Sequence, residues 1–238
     1  GKHQDLDNHV LSIKSDIELK NSKIKTNFGQ TWHKRTLINE NITLIGMQLN
    51  TFNYDAKWYL PDWKKLESIV GVQGMNQNNS NFGKGYLLPD ATTNSIGFFT
   101  NLLYEFNTIS LQGGIRYDMR HIVTQDVSEN TLPDYRPGFD KNLNSFTSSI
   151  GLKSNLFNKI TLRLNIATGF RAPNLSELAS KGIHSGRIEI GNSNLENEQN
   201  WQSDLALEYA STHIEFFANA FINTIENYIF LAPTGEIQ

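Results

Sequence analysis

Residues 160–168, Ile160-Thr161-Leu162-Arg163-Leu164-Asn165-Ile166-Ala167-Thr168, decide the fold. Leu162, Leu164 and Ile166 alternate with Arg163, Asn165 and Ala167. A period of two marks a strand with one oily face and one wet face. The alternation stops at Pro173, which cannot donate to a ladder. A long connection follows, carrying Gly182-Ile183-His184-Ser185-Gly186 and Ile190-Gly191-Asn192-Ser193-Asn194-Leu195. Alternation resumes over 205–209, turns at Ser211-Thr212 and returns through Ile214 to Phe230.

The same texture runs back to the start of the chain. Strands are predicted at 9–19, 23–32, 42–52, 65–75, 96–106, 109–120 and 146–156, so that with the three above the chain has ten. Short turns at 20–22, 107–108, 158–159 and 211–212 alternate with connections at 33–40, 76–94, 121–144 and 171–200. The exception is 54–63, a ten-residue connection on the short-turn side. It holds Trp58, Tyr59, Pro61 and Trp63, aromatics suited to a membrane interface or to a small cluster under a loop. The predicted strands, about 10–12 residues each, match a tilted transmembrane strand better than a globular one. A one-sided antiparallel sheet in water would alternate too. Side-chain chemistry separates the two. Phe98, Leu102, Tyr104 and Phe106 lie on one parity, and Arg116, Asp118, Arg120, Arg163 and Asn165 on the opposite one. The first set suits lipid and the second a wet lumen. The expected fold is therefore all-β: a fragment of a transmembrane antiparallel β-barrel with about ten long strands, short turns on one rim and long loops on the other.

Composition narrows function by exclusion. A net charge of −3 points to neither nucleic acid nor an anionic surface. With no Cys there is no disulfide framework, thiolate site or Cys nucleophile. No apolar run reaches the length of a spanning helix, which a barrel does not need. The chain opens at Gly1 without a secretory leader, so an exported protein is expected to carry its leader outside these residues. No Gly-x-Ser-x-Gly, Walker or His-Glu-x-x-His motif is present, and no enzyme activity or cofactor is expected.

Three stretches carry a resemblance. Gly-Phe-Arg-Ala-Pro-Asn-Leu-Ser-Glu-Leu at 169–178, Glu-Ile-Gly-Asn-Ser-Asn-Leu-Glu-Asn-Glu at 189–198 and Leu-Glu-Tyr at 207–209 resemble the barrel of a TonB-dependent outer-membrane receptor. The resemblance is clearest over 160–235. It implies a bacterial outer-membrane location, short periplasmic turns, extracellular loops at 76–94, 121–144 and 171–200, and active uptake of a scarce nutrient. That nutrient is expected to be a metal chelate, such as a siderophore or haem, or a metal ion. The barrel resembled has 22 strands and a plugged lumen. Residues 1–238 are accordingly expected to form part of a barrel, with no N-terminal plug among them. The implied partners are outer-membrane lipid, the nutrient, and a TonB-type energy-coupling complex acting through the missing plug. A passive diffusion channel and a soluble β-sandwich binding module are the rival readings.

Candidate site residues follow from their chemistry. His184 and Glu189 share one long loop and His121 opens another; imidazole and carboxylate suit a divalent ion such as zinc. Solvated loop side chains are the plainer account of all three. Arg171 offers a fork for an anionic chelate, or for Glu177 and loop carbonyls, and the second use is favoured. Tyr86, Tyr135 and Phe139 stand in long loops, where aromatic faces suit a planar chelate or haem. Even-numbered side chains from Leu162 to Ile166 are expected to face lipid, and 121–144 and 171–200 to share one rim.

Overall fold

The computed structural model describes residues 1–128, 135–157, 159–184 and 187–233, apart from the side chains of Ile183, His184 and Arg187. Ten strands form one antiparallel meander: β1 (Lys2–Glu18), β2 (Lys23–Asn39), β3 (Ile42–Tyr59), β4 (Leu66–Phe82), β5 (Ala91–Phe106), β6 (Ile109–Thr124), β7 (Asp140–Leu156), β8 (Ile160–Arg171), β11 (Glu198–Ala210) and β12 (Glu215–Glu226). Between β8 and β11 the chain forms a short helix, α1 (Leu175–Ala179), and a hairpin of β9 (Lys181–His184) and β10 (Arg187–Ile190). In a meander, successive connections fall on opposite edges. The connections 83–90, 125–139 and 172–197 therefore share one edge, as expected for 121–144 and 171–200.

Nine of the ten meander strands run longer than predicted, the ten spanning 12 to 18 residues, whereas β12 ends at Glu226, short of the expected Phe230. The expected loop at 33–40 is strand except for its last residue. β2 and β3 join through Glu40-Asn41, both left-handed (φ 49° and 62°), as a primed hairpin turn requires. Residues 54–59, 76–82, 91–94, 121–124, 140–144 and 198–200 are likewise strand rather than loop. The physical reason is that apolar alternation marks only the part of a strand that meets oil. Backbone pairing continues past it with polar side chains on both faces.

The register supplies the tilt. Side chains directly opposite one another form the row Ile17, Ile24, Trp58, Val70, Thr100, Ile115, Ser148. Ile17 stands one residue from the short-turn end of β1, and Ser148 eight from that of β7. Taking those ends as level, the row climbs about seven residues over six steps. With a rise of ~3.3 Å and a strand spacing of ~4.8 Å, the tilt is roughly 39°, within the range of closed barrels. Each residue then adds about 2.6 Å of height. On one face, apolar side chains fill roughly the first ten residues above the short turns, about 26 Å, the height of an outer-membrane hydrocarbon belt. Above it this face turns to Asn50, Asn76, Asn94 and Asn144.

Among the described residues no second layer covers the apolar face: Phe98 is 50% exposed, Ile150 60% and Ile166 41%. The Leu, Ile and Phe rows do not meet in a dry interior, and the β-sandwich reading falls with that. The compact apolar core of the described residues is small and lies on the opposite face at the long-loop edge. Leu178 of α1 packs there on Ile122 of β6 and Leu143 of β7, flanked by Phe139, Ala172, Ala179 and Leu195.

Candidate functional site

The polar face carries charges that largely satisfy one another. Arg116 donates to Asp118 through Nε (2.6 Å) and Nη2 (2.5 Å), reaches Gln73 Oε1 at 3.1 Å, and lies over the Phe99 ring. Arg163 Nη1 sits 2.8 Å from Glu208 Oε2, and Arg120 Nε donates to Ser95 Oγ at 3.0 Å. Hollows of about 390 and 300 Å³ flank Arg116 on this wall. These three arginines are held in place, because each donates to a neighbour on the wall.

Above the wall, the 172–197 connection folds over the polar face instead of projecting away. The β7–β8 ladder ends at Ser149 and Ala167; beyond it the Thr168 hydroxyl accepts from Ser148 N at 2.8 Å. The two strands part there, leaving the upper edge of β7 open. The returning loop covers it. Asn197 Nδ2 donates to Asn144 O at 3.0 Å, and Lys141 Nζ donates to Ser193 O at 3.0 Å. Asn174 and Glu177 form a capping box at the start of α1, satisfying donors the short helix leaves orphaned. Gly191 passes so close to the end of α1 that a Cβ would lie 2.6 Å from Ala179 N. Only glycine permits that approach.

Arg171 is the hinge pin of this loop. Nε and Nη2 donate to Glu198 at 2.8 and 2.7 Å, and Nη1 reaches both oxygens of Glu177 at 2.9 Å. The partner at Glu177 was legible in the sequence. Glu198 takes the place of the expected loop carbonyls, because register sets it opposite Arg171.

Arg136, which no sequence signal marks, joins three connections. It donates to Tyr86 O (3.1 Å), Leu87 O (3.3 Å) and Lys181 O (3.3 Å). Tyr86 and Tyr135 thereby belong to one loop cluster. Tyr86 is 44% exposed. The Tyr135 hydroxyl donates to Asp126 Oδ2 at 3.3 Å, and desolvation, then the Asp126 charge, raises its pKa. Phe139 packs against the small core.

The metal candidates are placed differently. His121 Nε2 lies 2.8 Å from Asp140 Oδ1, the carboxylate accepting, and shares a face with Tyr117 and Met119, whereas the loop packs on Ile122 and Leu143. Strand alternation thus sets His121 on the opposite side of the sheet from the loop. Glu189 pairs in register with Gly182 in the β9–β10 hairpin. The His184 side chain lies outside the described residues. Among the described residues, no group of three or more His, Asp or Glu side chains is arranged to hold a metal ion.

A family description, TonB dependent receptor-like β-barrel, matches residues 4–238. No curated protein matches by sequence. Similar solved structures include the hemophore receptor HasR of Serratia marcescens, in complex with its hemophore HasA and heme. It has a TM-score of 0.75 and 13% identity, with 97% of this chain and 41% of that one covered. The copper transporter OprC gives 0.71 and 12%, covering 94% and 39%. The alcaligin outer-membrane receptor FauA of Bordetella pertussis gives 0.67 and 14%, covering 98% and 39%. At these identities the likeness is one of fold, and the chain spans about two fifths of the length of these structures.

Proposed function

The chain belongs to the TonB-dependent receptor-like β-barrel family, and on that premise we propose that it forms part of the wall and outer mouth of a receptor that takes up a scarce nutrient. A wall of this family stands in the bacterial outer membrane, with its short turns in the periplasm and its long loops outside. The ligand is a metal chelate, such as a siderophore or haem, or a metal ion. The observation that carries this reading is the pinned 172–197 loop. It holds the mouth in a fixed shape over a charged wall, as a binding surface requires and a bare pore does not. Tyr86 and Tyr135 are the groups suited to stacking on a planar chelate. HasR is seen with its hemophore and heme, OprC is a copper transporter and FauA an alcaligin receptor, and those ligand classes set the panel to test.

Within this reading the wall binds and does not react. Release falls to a TonB-type complex acting on a plug beyond these residues. Arg171 acts as a positioning residue, since four hydrogen bonds already occupy its fork. If a metal ion is the cargo, His184 and Glu189 are its first candidates. His184→Ala is then expected to weaken zinc binding about tenfold or more.

The test is the melting temperature of the complete receptor against ferric siderophores, haem, copper and zinc. A ligand at a hundred times its Kd stabilises the state it binds by about 2.7 kcal/mol. Collapse of uptake when the membrane is de-energised is the second expected result. Uptake that persists without an energised membrane, with no ligand shifting the melt, would return the chain to a passive channel.

A further inference from the structure

The apolar face is not uniform. Between β4 and β11 it sinks into a groove of about 560 Å³. Leu102, Tyr104 and Leu111 wall one side, and Ile150, Ile166 and Trp201 the other. Its floor is Gly113, which lies in register between Leu102 and Ile150.

Gly113 is the telling residue. The other strand glycines of this face make room for a neighbour: a side chain at Gly46 would collide with the Phe82 ring, and one at Gly74 with Tyr54. At Gly113 a Cβ would meet only Ser149 O, at 3.5 Å, an ordinary contact. A strand glycine weakens pairing, and no neighbour's packing here requires it. The empty volume lies on the side that faces the bilayer, and what it admits comes from there.

The lower end of the groove opens at the short-turn rim. Leu66, the first residue of β4, lines it. Lys64 and Lys65 immediately precede it, with their ammonium groups over the Trp63 and Phe106 rings. Neither forms an ion pair among the described residues. An apolar groove whose rim end lies beside two cations at the membrane surface has the polarity of a phospholipid.

We infer that this groove seats one phospholipid of the periplasmic leaflet, with an acyl chain over Gly113 between Leu111 and Ile150 and its phosphate at Lys64 and Lys65. The groove is continuous with the apolar belt, so the lipid enters by lateral diffusion. The inference rests on the transmembrane fold and is independent of the transported ligand.

The test is native mass spectrometry of the full-length receptor released from neutral detergent, with phosphatidylethanolamine and the diacylglycerol of identical chains as probes. Wild type is expected to retain one phosphatidylethanolamine. Gly113→Leu fills the floor and is expected to cut retention about tenfold or more, given the apolar contact it displaces. Ile150→Ala with Ile166→Ala removes a wall without adding volume, and is expected to release the lipid as well. This pair serves if Gly113→Leu misfolds, which resistance of the folded barrel to SDS reports. Lys64→Glu with Lys65→Glu is expected to lower retention of phosphatidylethanolamine about fivefold while leaving diacylglycerol unchanged. Retention by both groove variants equal to wild type, or no lipid held by wild type, would overturn the groove. Equal loss of both probes on charge reversal would overturn the phosphate contact.

Discussion

Replacing Arg171 with Ala separates a structural pin from a ligand-binding fork. The side chain makes four hydrogen bonds of 2.7–2.9 Å to Glu198 and Glu177. Hydrogen bonds to charged groups contribute about 1.5–3 kcal/mol each when shielded. Here the Arg171 side chain is 41% exposed, so solvent screens much of that, most strongly on the Glu177 side. Glu198 is the costlier loss: its side chain is only 11% exposed and would be left buried without its cation. It does keep the bond from Ile229 N at 2.7 Å. Together these place the cost at about 2–4 kcal/mol, charged to opening of the loop and not to unfolding of the wall. The open population then rises about 30- to 700-fold. Hydrogen exchange reads it directly. Leu178 N, bonded to Asn174 O, and Asn192 N, bonded to Glu177 O, should exchange faster by that factor. Amides of Leu164 and Ile166, paired within the sheet, should not change. Arg171→Lys keeps the charge without the fork and should recover about half of the loss. Unchanged protection of the loop amides in Arg171→Ala, with ligand affinity lost, would refute the pin and make Arg171 a ligand group.

Four further substitutions test the same geometry. Leu178→Ala empties the centre of the small core and should destabilise the loop by about 2–3 kcal/mol, seen as faster proteolysis within 172–197. Gly191→Ala places a Cβ against backbone atoms of Leu178, Ala179 and Ser180, and should detach the loop to a similar degree, about 1–3 kcal/mol, by the same readout. Leu164→Lys, near mid-belt on the apolar face, should cost about 2–4 kcal/mol in denaturant titrations of the receptor in lipid vesicles. Arg163→Ala, one residue away on the polar face, should cost about 1 kcal/mol or less, since its pairing with Glu208 is exposed. Equal losses at Leu164 and Arg163 would mean that the faces are misassigned.

The two faces, the ten-strand meander and the side of the long loops were legible in the residues. Each is a local property. Alternation is read over a few residues, and Asn107-Thr108 or Ser211-Thr212 mark turns where they stand. The strand ends were not legible. Lys34, Asn76 and Asn142 look like loop because they lie above the oil, where nothing demands an apolar side chain; ladder bonds to the next strand keep them extended. The pairing of Arg171 with Glu177 lay within one motif and was readable. The roles of Arg136, Lys141 and Asn197 were not, because their acceptors lie 45 to 53 residues away in sequence. Period-two patterning settles which way a side chain points, since each strand solves that problem alone. Tilt, strand length and the folded mouth arise only when strands are set side by side, because the bonds that make them join residues that are distant along the chain.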